Sequence, residues 1–206
     1  MEGPAKTDRT VGFVKGSKRR AAILASTAPM FNQRGFAGTS IAEILEATAL
    51  EKGGLYNHFS SKEELRIASF EYAWTEVNAY FARMLHGIES GEPRLRAYVD
   101  AFEQYVKRPV VAGGCPLVNT ALEADDAFPF LMERVRAAFR EMRSFVRRQV
   151  RRGVEKGHFR NDTDIDAVTD FTIASLDGAI VLARAMGSSA SLARVIGVLR
   201  TWLSSI

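Results

Sequence analysis

Apolar residues recur at three- and four-residue spacing along almost the whole chain, and this periodicity is the strongest constraint on what it can fold into. That spacing lines one face of a helix, whereas a half-buried strand needs strict alternation, and no segment here reads as a convincing strand. The pattern predicts an all-α protein of about nine helices.

Capping residues and prolines punctuate the pattern. Ser17 is placed to cap a first helix carrying Ile23, Leu24, Thr27, Ala28, Met30 and Phe31 and ending near Gly35. Pro29, inside that helix, removes the N–H that would bond the carbonyl of Ala25, and predicts a kink. Ser40 followed by Glu43 forms a capping-box pattern for a short second helix reaching Thr48. A third starts after Leu50 and runs to Phe59, and Ser60, Ser61, Glu63 and Glu64 supply overlapping boxes for a long fourth ending near Gly87. Pro93 and Pro109 bound a fifth, and Pro116 opens a sixth that reaches Ala124. Three long helices complete the chain: Pro129 to Lys156, Asp164 to Met186, and Ser191 to Ser205.

With 206 residues, 47% of them apolar, the chain can bury a substantial core. The single cysteine, Cys115, excludes an intrachain disulfide and any zinc site built on several thiolates, and fits a reducing cytoplasm. His58, His86 and His158 lack metal-ligand spacing, so no metal and no cofactor is expected. No apolar run reaches the roughly 18 residues of a membrane span, so a soluble cytoplasmic protein without a membrane partner is expected. No Gly-rich phosphate loop follows a strand, which argues against an enzyme, although a Cys–His pair that meets only in space stays open. The charge is uneven: residues 1–62 hold nine Lys or Arg against five Asp or Glu, whereas residues 63–206 hold nineteen of each. The whole formal excess of +4 thus lies in the N-terminal third, where a polyanion partner is best sought.

Two short helices joined by a tight turn, with starts about twelve residues apart, have helix-turn-helix spacing. In the second of them, "EKGGLYNHF", Gly53 and Gly54 each cost about 1 kcal/mol relative to Ala, which close approach to another surface would offset. Leu55 and Phe59 lie four apart and can seal against the preceding helices, leaving Lys52, Tyr56, Asn57 and His58 as polar groups.

The run "TSIAEILEATALEKGGLYNHFSSKEEL" is similar to the DNA-binding signature of the TetR family of bacterial repressors, over roughly residues 18 to 66. The resemblance implies a flexible leader (1–16), a helix-turn-helix domain (17–62) and a helical ligand-binding and dimerisation domain (63–206). It implies that Thr39, Ser40, Tyr56 and Lys62 contact phosphates, and that Lys52, Gly53, Gly54, Asn57 and His58 approach bases. Free N–H groups at helix N-termini suit phosphate independently of the resemblance. Two departures bear on operator choice. Thr48-Ala49 replaces the Ala-Gly usual at the turn, and Glu51 replaces the usual Ser or Thr. The implied function is a homodimeric repressor released from double-stranded operator DNA by a small apolar, aromatic or electrophilic effector. A DNA-binding activator or architectural protein shares the same N-terminal signature.

In the C-terminal part, Thr172, Ser175 and Ala179, and Ala174 and Gly178, offer small surfaces for close helix approach. Against Leu192, Val195, Ile196, Leu199 and Trp202 they are expected to build a dimer interface. "GGCPL" resembles the sixth-helix start of a TetR subgroup, which implies a sensor role for Cys115, and a thiol at a helix N-terminus can have a lowered pKa.

Overall fold

The computed structural model describes residues 7–206, without the side chains of residues 7–15, 125 and 126. Nine helices occur among the described residues. They are α1 (Thr7–Arg34), α2 (Ile41–Thr48), α3 (Lys52–Tyr56), α4 (Lys62–Met84), α5 (Glu92–Lys107), α6 (Pro116–Ala127), α7 (Pro129–Glu155), α8 (Ile165–Ala185) and α9 (Ala190–Leu203).

The capping signals fix most of the starts. Ser40 caps α2 by accepting from Glu43 N, while the Glu43 carboxylate accepts from the Ser40 backbone N–H, which closes the expected box. Ser61 accepts from Glu64 N at the start of α4, and Asp164 accepts from Asp166 N and Ala167 N at the start of α8. The start of α1 differs from expectation. Its backbone is helical from Thr7, so Ser17 does not begin it, because a hydroxyl can cap only where the preceding chain is not already helical. The glycines at 12 and 16 weaken that extension without ending it. The first six residues of the expected leader lie outside the described ones. α3 also stops short, at Tyr56, because a tighter His58 N–H to Leu55 O bond (3.0 Å) turns the chain and carries Phe59 into the core.

α1, α2 and α3 close around Ile23, Leu24, Phe31, Ile44, Leu55 and Phe59, all buried. α4 joins this unit to the remainder through a buried hydroxyl pair, Thr27 Oγ1 to Ser69 Oγ at 3.0 Å, and through Leu65. The Arg20 guanidinium lies 4.7 Å from the Phe59 ring centroid and 3.3 Å from the Glu64 carboxylate, covering the junction from outside. Farther along, α4 packs with α5 and α7, and α8 pairs with α9.

Loops dock the two halves tightly. At Gly113, with φ +104°, a Cβ would stand 2.6 Å from the Asn32 carbonyl oxygen, so only glycine lets the α5–α6 loop reach α1. Asn32 Nδ2 uses that approach to donate to the carbonyls of Ala112 (2.9 Å) and Gly114 (3.0 Å). The turn after α2 has the opposite mismatch. Ala49 is left-handed, at φ 50° and ψ 41°, and is the only non-glycine residue with positive φ among the described residues. The bond from Leu50 N to Leu45 O (3.1 Å) gives the helix a Schellman-type ending that favours glycine. Ala49→Gly is therefore expected to stabilise the protein by about 0.5–1 kcal/mol, since relief of the left-handed strain exceeds the added unfolded-chain entropy. Thermal unfolding should show it as a rise of about 2 °C.

Candidate functional site

Among the described residues, α3 presents one face outward and one inward. Leu55 and Phe59 are almost fully buried against α1 and α2, whereas Lys52, Gly53, Tyr56 and Asn57 are exposed and His58 and Gly54 are half-buried. Packing within the chain supplies no reason for the first glycine. A Cβ at Gly53 would meet nothing within 4 Å, and one at Gly54 would make only an ordinary contact, 3.5 Å from Leu50 Cδ2. The slender start of α3 therefore faces outward, where another surface can approach it.

Two further helix starts flank it. Lys62, half-buried at the head of α4, lies near Arg66 and within electrostatic reach of Glu43; burial, more than the Arg66 charge, pulls its pKa below the usual lysine value. Ser40 at the head of α2 is exposed, but its hydroxyl is engaged in the cap, donating to Glu43 Oε2 at 2.7 Å. The backbone N–H and hydroxyl of Ser40, followed by Arg34, hold the Glu43 carboxyl below its usual pKa. Thr39 corrects the expectation of a phosphate-binding side chain. It has no exposed surface, and its hydroxyl donates inward to the Gly35 carbonyl at 2.7 Å, so it shapes the α1–α2 turn instead.

The second candidate region is a cavity of about 490 Å³ between α4, α5, α7 and α8. Trp74, Phe81, Tyr98, Phe102, Tyr105 and Phe145 line it with rings, joined by Cys115 and Asp177. Phe81 and Tyr98 stand 4.8 Å apart by ring centroid, and Tyr98 and Phe145 5.2 Å. Cys115 sits at the N-cap of α6, as expected, and is buried there. Burial pushes its pKa up to about 12, outweighing the favourable N–H groups of Val118 and Leu117. Desolvation and the helix N-terminus act on the thiol in opposite directions, and here desolvation is the larger.

One tie between the two regions has no signal in the sequence. Glu123 of α6 accepts from the backbone N–H groups of Phe36 (2.9 Å) and Ala37 (2.8 Å), and Arg66 donates to the Phe36 carbonyl at 2.9 Å. Arg66 also stacks 4.6 Å over the Phe128 ring, and burial lowers its pKa more than the charges of Glu123 and Glu63 raise it. Residue 36 is thus clamped at both its N–H and its C=O. Asn119 of α6 adds bonds to Asn32 O (3.1 Å) and Gly113 O (2.9 Å).

The N-terminal unit coincides with a match to the family model described as "Bacterial regulatory proteins, tetR family" (residues 23–68). A second match, "Tetracyclin repressor-like, C-terminal domain", spans residues 91–199. The chain belongs to the TetR family. It is accordingly a DNA-binding transcriptional regulator, and the outward face of α3 occupies the second helix of its helix-turn-helix. A TetR transcriptional regulator from Chloroflexus aurantiacus J-10-FL is 41% identical and superposes with a TM-score of 0.88, covering 92% of this chain and 96% of that one. A TetR-family regulator from Cytophaga hutchinsonii is 30% identical, with a TM-score of 0.84 over 100% of this chain and 98% of that one. KstR2 of Mycobacterium tuberculosis, an HTH-type transcriptional repressor, is 26% identical across 80% of each chain. No helix among the described residues is long and apolar enough to cross a membrane.

Two faces of the last helices differ from expectation. Thr172, Leu176, Ala179 and Ile180 of α8, with Leu192, Ile196 and Leu199 of α9, are buried within this chain and are not open to a partner. The reason is geometric: α8 and α9 first pack on each other and on α7 and α5, and that uses up their richest apolar stripe. What remains exposed is Phe171, Val181 and Leu182 on α8, Met186 at its C-cap and Val198 on α9, with the small residues Ala174 and Gly178 also exposed on α8.

Proposed function

We propose that this regulator is a homodimeric repressor, released from its operator when a small apolar or aromatic molecule fills the ring-lined cavity. The observation that carries the reading is continuity. α4 begins with Lys62 beside the DNA-facing helix and later supplies Trp74, Val77 and Phe81 to the cavity wall. α6 has Cys115 at the cavity and Glu123 on the helix-turn-helix, eight residues or about 12 Å apart. Occupancy of the cavity and the position of the reading head therefore share two rigid elements. The name of KstR2 as a repressor supports the sign of the response.

Within this reading, residues 17–62 read DNA and residues 63–206 sense and dimerise. Lys52, Gly53, Gly54, Asn57 and His58 approach base edges, whereas Tyr56, Lys62 and the α2 N-terminus at Ser40 hold phosphates. The exposed α8–α9 patch around Phe171, Val181, Leu182, Met186 and Val198 supplies the isologous dimer face. Such a contact places two recognition helices on half-sites about one DNA turn apart.

Fluorescence anisotropy on DNA from the gene's own upstream region, against a scrambled duplex at several salt concentrations, tests the reading. Selective and salt-sensitive binding is expected. Lys62→Ala should weaken binding to every sequence and lower the magnitude of the salt slope by about 1, as loss of one phosphate contact requires. Equal, weak binding to both duplexes would count against the reading, and a shift in sequence preference with an unchanged slope would move Lys62 to the bases.

A further inference from the structure

Asp177 is out of place in an apolar pocket. It lies in the middle of α8 beside Leu176, and it lines the cavity near Tyr98 and Cys115, both buried and both within reach of its charge. Among the described residues no hydrogen bond or ion pair reaches its carboxyl, and burial alone pushes its pKa up to about 7. A leucine there would avoid the cost of a desolvated acid. The Asp177 side chain is only partly covered, so the carboxyl stays open to the cavity, where a partner from outside the chain can reach it.

The other charged groups of the lining are otherwise engaged or stand at the rim. Glu141 accepts from Trp74 Nε1 at 2.8 Å and from Asn78 Nδ2 at 3.4 Å. Arg94 donates to the Ile88 carbonyl. Arg148 and His86 are exposed. The interior thus offers one unpaired carboxyl and several ring faces. Ring faces carry the negative end of a quadrupole and attract organic cations, and a desolvated carboxylate adds a counter-charge. A lone carboxylate lacks the further oxygen ligands that a bound metal cation requires.

We infer that the cavity takes a lipophilic organic cation, with an ammonium-type group paired to the Asp177 carboxylate and an apolar body held among Phe81, Tyr98 and Phe145. This rests on the proposed function only for its consequence, release of DNA; the binding site itself stands on the cavity. An anionic ligand has only the rim arginines to meet it. A neutral donor would hydrogen-bond the carboxyl without compensating its charge.

Three probes of matched length separate these cases: 4-phenylbutylamine, 4-phenylbutanol and 4-phenylbutyrate, titrated calorimetrically into the full-length protein at pH 7.5. The amine should bind about tenfold more tightly than the alcohol, and the carboxylate most weakly. In Asp177→Asn the amine should fall to within about threefold of the alcohol, while the alcohol keeps its affinity. Equal binding of amine and alcohol to the unaltered protein, tighter binding of the carboxylate, binding of none of them at millimolar concentration, or an amine preference that survives Asp177→Asn would each overturn the inference. DNA anisotropy run in parallel separates it from the repressor reading. Amine binding through Asp177 without loss of DNA retires the link from cavity to operator and leaves the cation site. DNA release by the alcohol, with no preference for the amine in the unaltered protein, retires the cation site and leaves the repressor.

Discussion

Gly53→Ala is expected to make the free protein more stable and its hold on DNA weaker, two effects of opposite sign from one methyl group. In the free chain the added Cβ meets no atom within 4 Å, and the backbone there is ordinary α-helix, so the change gains helix propensity without a steric cost. That gain is about 0.5–1 kcal/mol in a first turn. The same methyl sits on the exposed side of α3, beside Lys52 and Asn57, and in the proposed mode of reading, with Gly53 against the bases, it takes space that a base edge or sugar would fill. A displacement of even one methyl thickness loosens several neighbouring contacts at once, and a fall in affinity of tenfold to a hundredfold, about 1.4–2.7 kcal/mol, is expected. Urea unfolding and anisotropy on one preparation measure both signs. Unchanged DNA affinity would mean that the α3 start does not approach the duplex; lower stability would mean that the glycine serves the fold.

What could be read from the sequence follows the range of the interactions. The Ser40–Glu43 box, the Ser61 cap and the Asp164 cap are contacts over two or three residues, and each is legible because donor and acceptor are neighbours in the chain. The departure at Thr48-Ala49 is legible for the same reason, and Ala49 does take the left-handed conformation that glycine favours. Thr39 and Ser40 show where that legibility ends. Two adjacent hydroxyls look alike locally, yet one turns inward to the Gly35 carbonyl and the other stays exposed at the cap. The helix-turn-helix packing decides which. α8 poses the same ambiguity on a larger scale, since Thr172 with Ala179 and Ala174 with Gly178 are both close-packing faces by composition. Only the position of α7 and α9 decides that the first is internal. Glu123 and Asp177 carry no local signal at all. Each is one acid on an amphipathic helix, and its meaning comes from partners, or their absence, far away in sequence.

Glu123→Gln is expected to loosen the tie between the cavity domain and the reading head more than any other single change on α6. The carboxylate serves two N–H donors at once, on Phe36 and Ala37, and an amide must turn its own NH₂ group toward one of them. Losing one charge-assisted bond and facing two donors together should cost about 1–2 kcal/mol locally. Hydrogen exchange at the Phe36 and Ala37 amides should then accelerate by about tenfold. Gly35→Ala offers an independent route to the same lesion, because at φ +80° its Cβ would stand 2.9 Å from both Glu123 oxygens. If α6 carries the message from cavity to DNA, both variants should shrink the ratio of DNA dissociation constants measured with and without a releasing ligand, by about threefold or more, given the 1–3 kcal/mol typical of such coupling. Exchange that accelerates while the ratio holds would place the coupling in α4, which reaches from Lys62 to the cavity wall and needs no help from Glu123.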